Sequence, residues 1–158
     1  MIASAQTLQR LQPLTPFLPR TRFEGVSFGL SSAGYDIRID QDAILKPHEF
    51  FLASTVERFN MPLNLLGIVH DKSTWARVGL AVQNTVIEPG WAGHLTIELT
   101  NHGYGILFVK KGVGIAQVIF HLLDVATDQP YEGKYQDQAN KPVAAIFERP
   151  VDVIERSE

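Results

Sequence analysis

The segment His94-Leu-Thr-Ile-Glu-Leu-Thr100 alternates apolar and polar residues without a break. A strand turns successive side chains to opposite faces, so Leu95, Ile97 and Leu99 share one face while His94, Thr96, Glu98 and Thr100 share the other. The first face belongs in a core. The second sets a carboxylate among hydroxyls in the middle of a rigid element. That position suits a general base, whose geometry is fixed before its pKa is tuned. The same alternation also describes a strand with one wet face on which Glu98 is merely solvated, and pattern alone favours this plainer reading.

The neighbouring sequence repeats the theme. Tyr35–Ile39 alternates, Glu49–Ala53 does so more weakly, and Leu65–Val69, Leu80–Val82, Ile106–Val109 and Val113–Leu123 are further short strand candidates. Gly, Pro, Asn and Asp punctuate them at short intervals. Ala3–Leu11 reads as one short helix with Leu8 and Leu11 on a common side, and Pro13, Pro16 and Pro19 then impose an extended stretch. A helical turn or two fits Ser73–Val78. Many short strands with turn signals point to a mainly β sandwich or barrel. No internal repeat or linker divides it, so residues 1–158 are read as one domain, with a helix and extended arm over 1–30 and a lid and charged tail over 129–158.

Composition narrows the function. The 158 residues are 45% hydrophobic and 20% charged, as in an ordinary globular protein, and the net charge of -3 argues against a nucleic-acid-binding face. There is no cysteine, which removes a disulfide framework and most zinc-site designs, including the Cys-pair signature of zinc deaminases. The five histidines, His48, His70, His94, His102 and His121, lack any HxxxH, HxH or HExxH spacing, so no protein metal cage is expected. No apolar run is long enough for a membrane span and the N-terminus does not resemble a secretory signal, so a cytoplasmic protein without membrane partners is expected.

Other stretches carry chemistry of their own. Asp71-Lys-Ser-Thr-Trp-Ala-Arg77 gathers cations and hydroxyls in the combination that recognises phosphate, although it is not a Walker loop. It reads equally as a Ser73-capped helix with Lys72 and Arg77 in solvent. Glu88, in the Pro-Gly-rich connector before the Glu98 strand, is either a second functional carboxylate or a surface turn acid. Trp91 reads as core. Gln117 lies in an apolar strand and needs partners there, structural or ligand. Pro130-Tyr-Glu-Gly-Lys-Tyr-Gln-Asp-Gln138 suits a lid over an anionic ligand, or a disordered polar tail, which composition alone favours.

Taken in order, Ser31-Ser-Ala-Gly-Tyr-Asp-Ile-Arg38, Lys72-Ser-Thr-Trp-Ala-Arg77, Glu88-Pro-Gly-Trp-Ala-Gly-His-Leu-Thr-Ile-Glu-Leu-Thr-Asn101, Gly114-Ile-Ala-Gln-Val-Ile-Phe120 and Gly133-Lys-Tyr-Gln-Asp-Gln138 resemble the successive motifs of dCTP deaminases. The resemblance covers Ser31 to Gln138. It implies a dUTPase-like distorted β-barrel or jelly-roll with one or two short helices, assembled as a homotrimer with active sites between subunits. It implies hydrolysis of dCTP to dUTP and ammonia, which supplies dUTP for thymidylate synthesis. Mg²⁺ arrives on the triphosphate, no zinc is bound by the protein, and dTTP is a common feedback inhibitor in the family.

Roles follow for the matching positions. Glu98 falls on the catalytic glutamate that moves protons as water attacks C4. Arg77 and Ser73 join it as catalytic residues, Arg77 orienting water or base. Lys72, Ser73, Thr74, Trp75, Ala76 and Arg77 fall on phosphate and active-site positions. Backbone groups at Thr85, Val86, Thr96 and Ile97 read the cytosine edge, Glu88 holds the deoxyribose, and Gln117, Tyr131, Lys134 and Gln138 contact the nucleotide. Because no zinc hydroxide is implied, Glu98 is expected to be buried with a raised pKa.

The chain departs from its relatives at Asp71 and Asp137, where Gly is common, in the run Ala139-Asn-Lys141, and in its short N-terminal region and atypical tail after Val143. The rival reading is a dUTPase, which shares motifs such as Ser32–Asp36 and places a catalytic acid at the Glu88 position. A bifunctional enzyme that makes dUMP and pyrophosphate from dCTP keeps both acids. A carboxylate at Glu98 separates the chain from dUTPases alone. A nucleotide-sensing protein without turnover is a third class, disfavoured by the near-complete set of matching residues.

Overall fold

A computed structural model describes residues 1–149. In chain order it contains α1 (Ala5–Leu11), β1 (Leu14–Thr15), β2 (Thr21–Phe23), β3 (Val26–Ser31), β4 (Gly34–Arg38), β5 (Ala43–Leu45), β6 (Phe50–Asn60), β7 (Leu65–Asp71), α2 (Ser73–Ala76), β8 (Leu80–Val82), β9 (Val86–Ile87), β10 (Ala92–Asn101), β11 (Leu107–Val109) and β12 (Gly114–Leu122). The fold is mainly β, as the sequence pattern requires.

Helix α1 begins at Ser4, whose hydroxyl accepts the Thr7 amide at 3.4 Å. It ends at Gln12, which turns left-handed and donates to Leu8 O, and Pro13 cannot extend it. Leu8 is fully buried and Leu11 packs against the core, so the helix covers one end of the sheets.

The strands form a four-stranded sheet in the order β1-β6-β10-β8, a six-stranded sheet in the order β2-β3-β4-β12-β7-β9, and a β5-β11 pair. One apolar cluster lies between them, with Tyr35, Ile37, Phe59, Ile97, Leu99, Val118 and Phe120 at its centre. Strand β10 behaves as its alternation demands at Ile97 and Leu99, which are buried in this core, whereas Leu95, at a break in the pairing, is buried but also borders a cavity. Strand β4 differs from the expected alternation, since Tyr35, Asp36 and Ile37 are all buried. It is a central strand covered on both faces.

Strands β6 and β10 are the frame of the site. Their pairing is antiparallel, but the register jumps between His94↔Arg58 and Thr96↔Ser54, so three residues of β6 stand opposite one of β10. Thr55 repairs the gap: its hydroxyl accepts from Leu95 N at 2.9 Å and donates to Glu57 O at 2.7 Å. At the same place Thr55 bridges to Ile39, and Glu57, fully buried, takes Arg38 N at 2.8 Å and Arg38 Nε at 2.7 Å. The two large sheets are thus tied together at the bulge by an ion pair and a backbone bridge. β6 runs well beyond the Glu49–Ala53 segment expected from sequence, and this extension supplies Glu57.

Candidate functional site

Beyond the bulge the register is regular, with Glu98 opposite Leu52. Both line a cavity of about 550 Å³ on the polar face of β10. Leu52, Leu95 and Thr96 share its floor with Glu98, and Thr85, Val86 and Glu88 form the side contributed by the connector. Tyr131, Tyr135, Gln138, Val143 and Ala145 close it from the C-terminal segment.

Burial pushes the Glu98 carboxyl above the ordinary carboxylate range. Its Oε2 is buried and has no hydrogen-bond partner among the described residues. A buried carboxyl oxygen facing a cavity without a donor is poorly placed for stability and well placed to take and give a proton. Glu98 is therefore not the solvated acid of the plainer reading. Glu88 is exposed at the rim of the same cavity. Trp91 is buried core, its Nε1 donating to Tyr135 O at 2.7 Å, although one face of it also reaches the cavity.

The segment 131–138 is docked on the sheet rather than loose. Gln136 Oε1 accepts Ala92 N at 2.9 Å, Asp137 N donates to Ala92 O at 2.9 Å, and His94 N donates to Gln138 O at 2.9 Å. Gly93 and Gln138 form a parallel bridge. Asp137 adopts φ 55, a left-handed conformation that glycine takes most easily, which accounts physically for the resemblance to a Gly-bearing motif; Arg58 Nη2 lies 3.2 Å from its carboxylate. The tail after Pro142 also departs from the loose expectation over its described part: Val143 N donates to Thr96 Oγ1 at 3.0 Å and Ile146 N to Tyr135 Oη at 2.9 Å. Lys134 donates to Ile146 O and does not line the cavity. Residues 150–158 of the tail lie outside the described residues.

The remaining candidates lie elsewhere. A second cavity of about 320 Å³ is lined by Lys72, Ser73, Thr74 and Gln117, with Asp36 and Arg20 among its other walls, and it shares no residue with the first. Lys72 is only 8% exposed, and its Nζ contacts Asp36 Oδ2 at 2.5 Å and Ser27 Oγ at 3.1 Å. Its charge is already compensated, unlike the solvent-facing cation of the simple reading. Lys72 precedes α2 as its cap residue and Ser73 is the first helical residue, so Ser73 is not the N-cap. Asp71 turns its carboxylate onto Val82 N at 2.7 Å, so this departure from the family pattern has a structural use. Gln117 Nε2 donates to Ser31 Oγ at 3.3 Å. Trp75 anchors α2 through Nε1 to Gly114 O at 2.7 Å.

Arg77 and Ala76 are exposed and line neither cavity. Ile97 lines neither cavity, and its side chain is in the core. Sequence reasoning missed Leu52, the apolar neighbour of Glu98, and it gave no role to Asp36. An acid inside an apolar strand demands a partner, and that was the available signal for Asp36. Among the described residues no cluster of three or more His, Cys, Asp and Glu is disposed to hold a metal, and no helix is long and apolar enough to cross a membrane.

Known proteins resemble this arrangement. A family model described as dCTP deaminase-like matches residues 31–123. A dCTP deaminase of Sulfurovum sp. (strain NBC37-1) is 36% identical over 169 aligned positions, covering 86% of this chain and 90% of that protein. A dCTP deaminase of Chlamydia trachomatis serovar L2 is 37% identical, covering 76% of this chain and 80% of its own length. Among solved structures, the dUTPase of EIAV superposes with a TM-score of 0.55 at 25% identity, covering 66% of this chain and 87% of that one. The dUTPase of Staphylococcus bacteriophage 80alpha gives 0.56 at 18% identity over 75% of this chain and 92% of its own, a likeness of fold alone.

Proposed function

The chain belongs to the dCTP deaminase-like family, and from that premise we propose that it hydrolyses dCTP to dUTP and ammonia with Glu98 as the proton-transfer group. The observation that carries the reading is the Glu98 carboxyl in the cavity lining, raised in pKa by its partial burial and with a buried Oε2 that has no partner among the described residues. Water adds to C4 of the cytosine ring. Glu98 carries one water proton to ring nitrogen N3, and then carries the hydroxyl proton to the amino group. The C4–N bond breaks, ammonia departs and C4 keeps the oxygen as a carbonyl. A carboxyl whose pKa is raised toward neutrality does both transfers better than an ordinary one.

Around this centre, backbone groups at Thr85, Val86, Thr96 and Ile97 read the cytosine edge and Glu88 holds the deoxyribose. Tyr131, Lys134 and Gln138 meet the nucleotide, Lys134 after exchanging Ile146 O for it. The nucleotide arrives as its Mg²⁺ complex, so the metal is part of the substrate. Lys72–Arg77 and Gln117 act on the phosphates and on the attacking water, in a homotrimer whose neighbouring subunit brings that wall to Glu98. Support for a shared site is the separation of the expected residues into two cavities with none in common, and the exposure of Arg77. Further support comes from the apolar outer face of the β5-β11 pair, where Ile44 and Phe108 stand opposite each other and exposed. The enzyme is expected in the cytoplasm, with dTTP as an inhibitor.

A second reading has its own observation. Glu88 and Glu98 line one cavity, so a bifunctional enzyme that also hydrolyses the α-phosphate linkage has both acids in reach. Product analysis with dCTP and Mg²⁺, beside dUTP alone, separates the two. Ammonia with dUTP, and dUTP itself untouched, is the expected result. Ammonia with dUMP and pyrophosphate makes Glu88 a second catalytic acid. Cleavage of dUTP without ammonia from dCTP overturns deamination in favour of a dUTPase.

A further inference from the structure

Thr96 lies two residues before Glu98 on the same strand face and is only 8% exposed. Its hydroxyl has two neighbours, Val143 N at 3.0 Å and the Gln138 carboxamide at 3.0 Å. The direction of both bonds follows from giving every donor of this buried group an acceptor. A backbone amide only donates, so Thr96 Oγ1 accepts from Val143. The single hydroxyl proton then finds its acceptor in Gln138 Oε1, which is the carboxamide atom turned toward it. Reversing the amide would make the hydroxyl accept twice and leave its own proton without an acceptor among the described residues. The other end, Nε2, carries two N–H donors, has no protein partner among the described residues, and belongs to a side chain in the cavity wall beside Glu98.

We propose that the Thr96 hydroxyl is a positioning group: it sets the orientation of the Gln138 carboxamide so that its NH₂ end is offered to an acceptor oxygen of the bound nucleotide, and it latches the C-terminal segment over the cavity through Val143. The identity of the ligand rests on the deaminase reading; the orientation of Gln138 does not. The device joins three parts of the chain that sequence alone keeps apart, namely the strand of the catalytic acid, the lid and the tail. The Thr96 hydroxyl thereby acts through Gln138 and Val143, without itself touching the reacting atoms.

The test compares Thr96→Val, which keeps the shape and removes the hydroxyl, with Thr96→Ser, which restores it. Steady-state kinetics on dCTP are read together with hydrogen exchange at the Val143 amide. Thr96→Val is expected to raise KM about tenfold while kcat stays within about twofold. It should also speed exchange at Val143 by about tenfold or more, and Thr96→Ser should return both toward the original values. Two results overturn the proposal: faster exchange at Val143 with KM unchanged, which leaves a latch that orients nothing, or a Ser variant that behaves as the Val variant does, which makes the role one of packing. If the unaltered protein releases no ammonia, the functional reading has failed. Exchange at Val143 and the dissociation constant for dCTP in the same variants then decide the latch on their own.

Discussion

The Glu98 carboxyl is desolvated by its cavity and receives no donor in return at Oε2. Its pKa in the folded chain is raised, so the native state holds that proton more tightly than the unfolded state does. The stabilising contribution is present below the ordinary value of 4.5 and is lost as pH rises from there through the raised folded value. Glu98→Gln cannot titrate. Melting curves from about pH 4 to pH 8 should therefore show the variant gaining on the unaltered protein as pH rises, with the gap level above the window; a gap that stays constant throughout would mean that Glu98 is not desolvated. Glu57 is also buried, but it is common to both proteins and cancels. The two acids show what was legible at this scale. Glu98 stands out because alternation gives it a face and an apolar opposite. Glu57, in Val-Glu-Arg-Phe, reads as surface charge, because its partner Arg38 lies 19 residues earlier and is brought to it only by the bulge. Lys72 was legible as a cation but not as a buried one, since Asp36 reaches it across 36 positions.

Strand β10 and the C-terminal segment meet where backbone approaches backbone. Gly93 has φ 138, and a Cβ there would stand 2.6 Å from Gln138 N. Gly93→Ala should therefore lift the 136–138 segment from the strand at a cost of about 2 kcal/mol. The expected outcome is faster limited proteolysis near Gln138 and weaker nucleotide binding; unchanged cleavage would show that the segment is not seated by this contact. The segment looked like a polar tail in composition because the strand groups that receive it include the backbone of Ala92 and His94, which no residue type announces. The β2-β3 hairpin was hidden for a related reason. Its turn residues Glu24 and Gly25 both take positive φ, at 49 and 76, as a two-residue hairpin requires, but Glu is an uncommon choice at the first position. Strands β7, β8, β10 and β12 carried strong apolar patterns and were readable, although β6 was seen only at its start.

At the scale of the whole molecule, the expected catalytic set is split, with Glu98 in one cavity, Ser73 in another and Arg77 on open surface. The motifs announced these residues in order along the chain, but nothing in their order says which meet within one subunit. If the site is shared, Glu98→Gln and Arg77→Ala should each be inactive alone and regain about a quarter of normal activity when unfolded together in equal amounts and refolded, because sites between random neighbours then include intact pairs. No recovery would place both residues in one subunit's site. The apolar β5-β11 face, with exposed Ile44 and Phe108, is the surface on which association should depend. The most direct test of the whole account is ammonia release from dCTP by the unaltered protein and by Glu98→Gln, measured beside dCTP binding to each. The account predicts comparable binding and turnover reduced by about a thousandfold or more in the variant. Near-normal ammonia release by a Glu98→Gln protein that binds dCTP would contradict it.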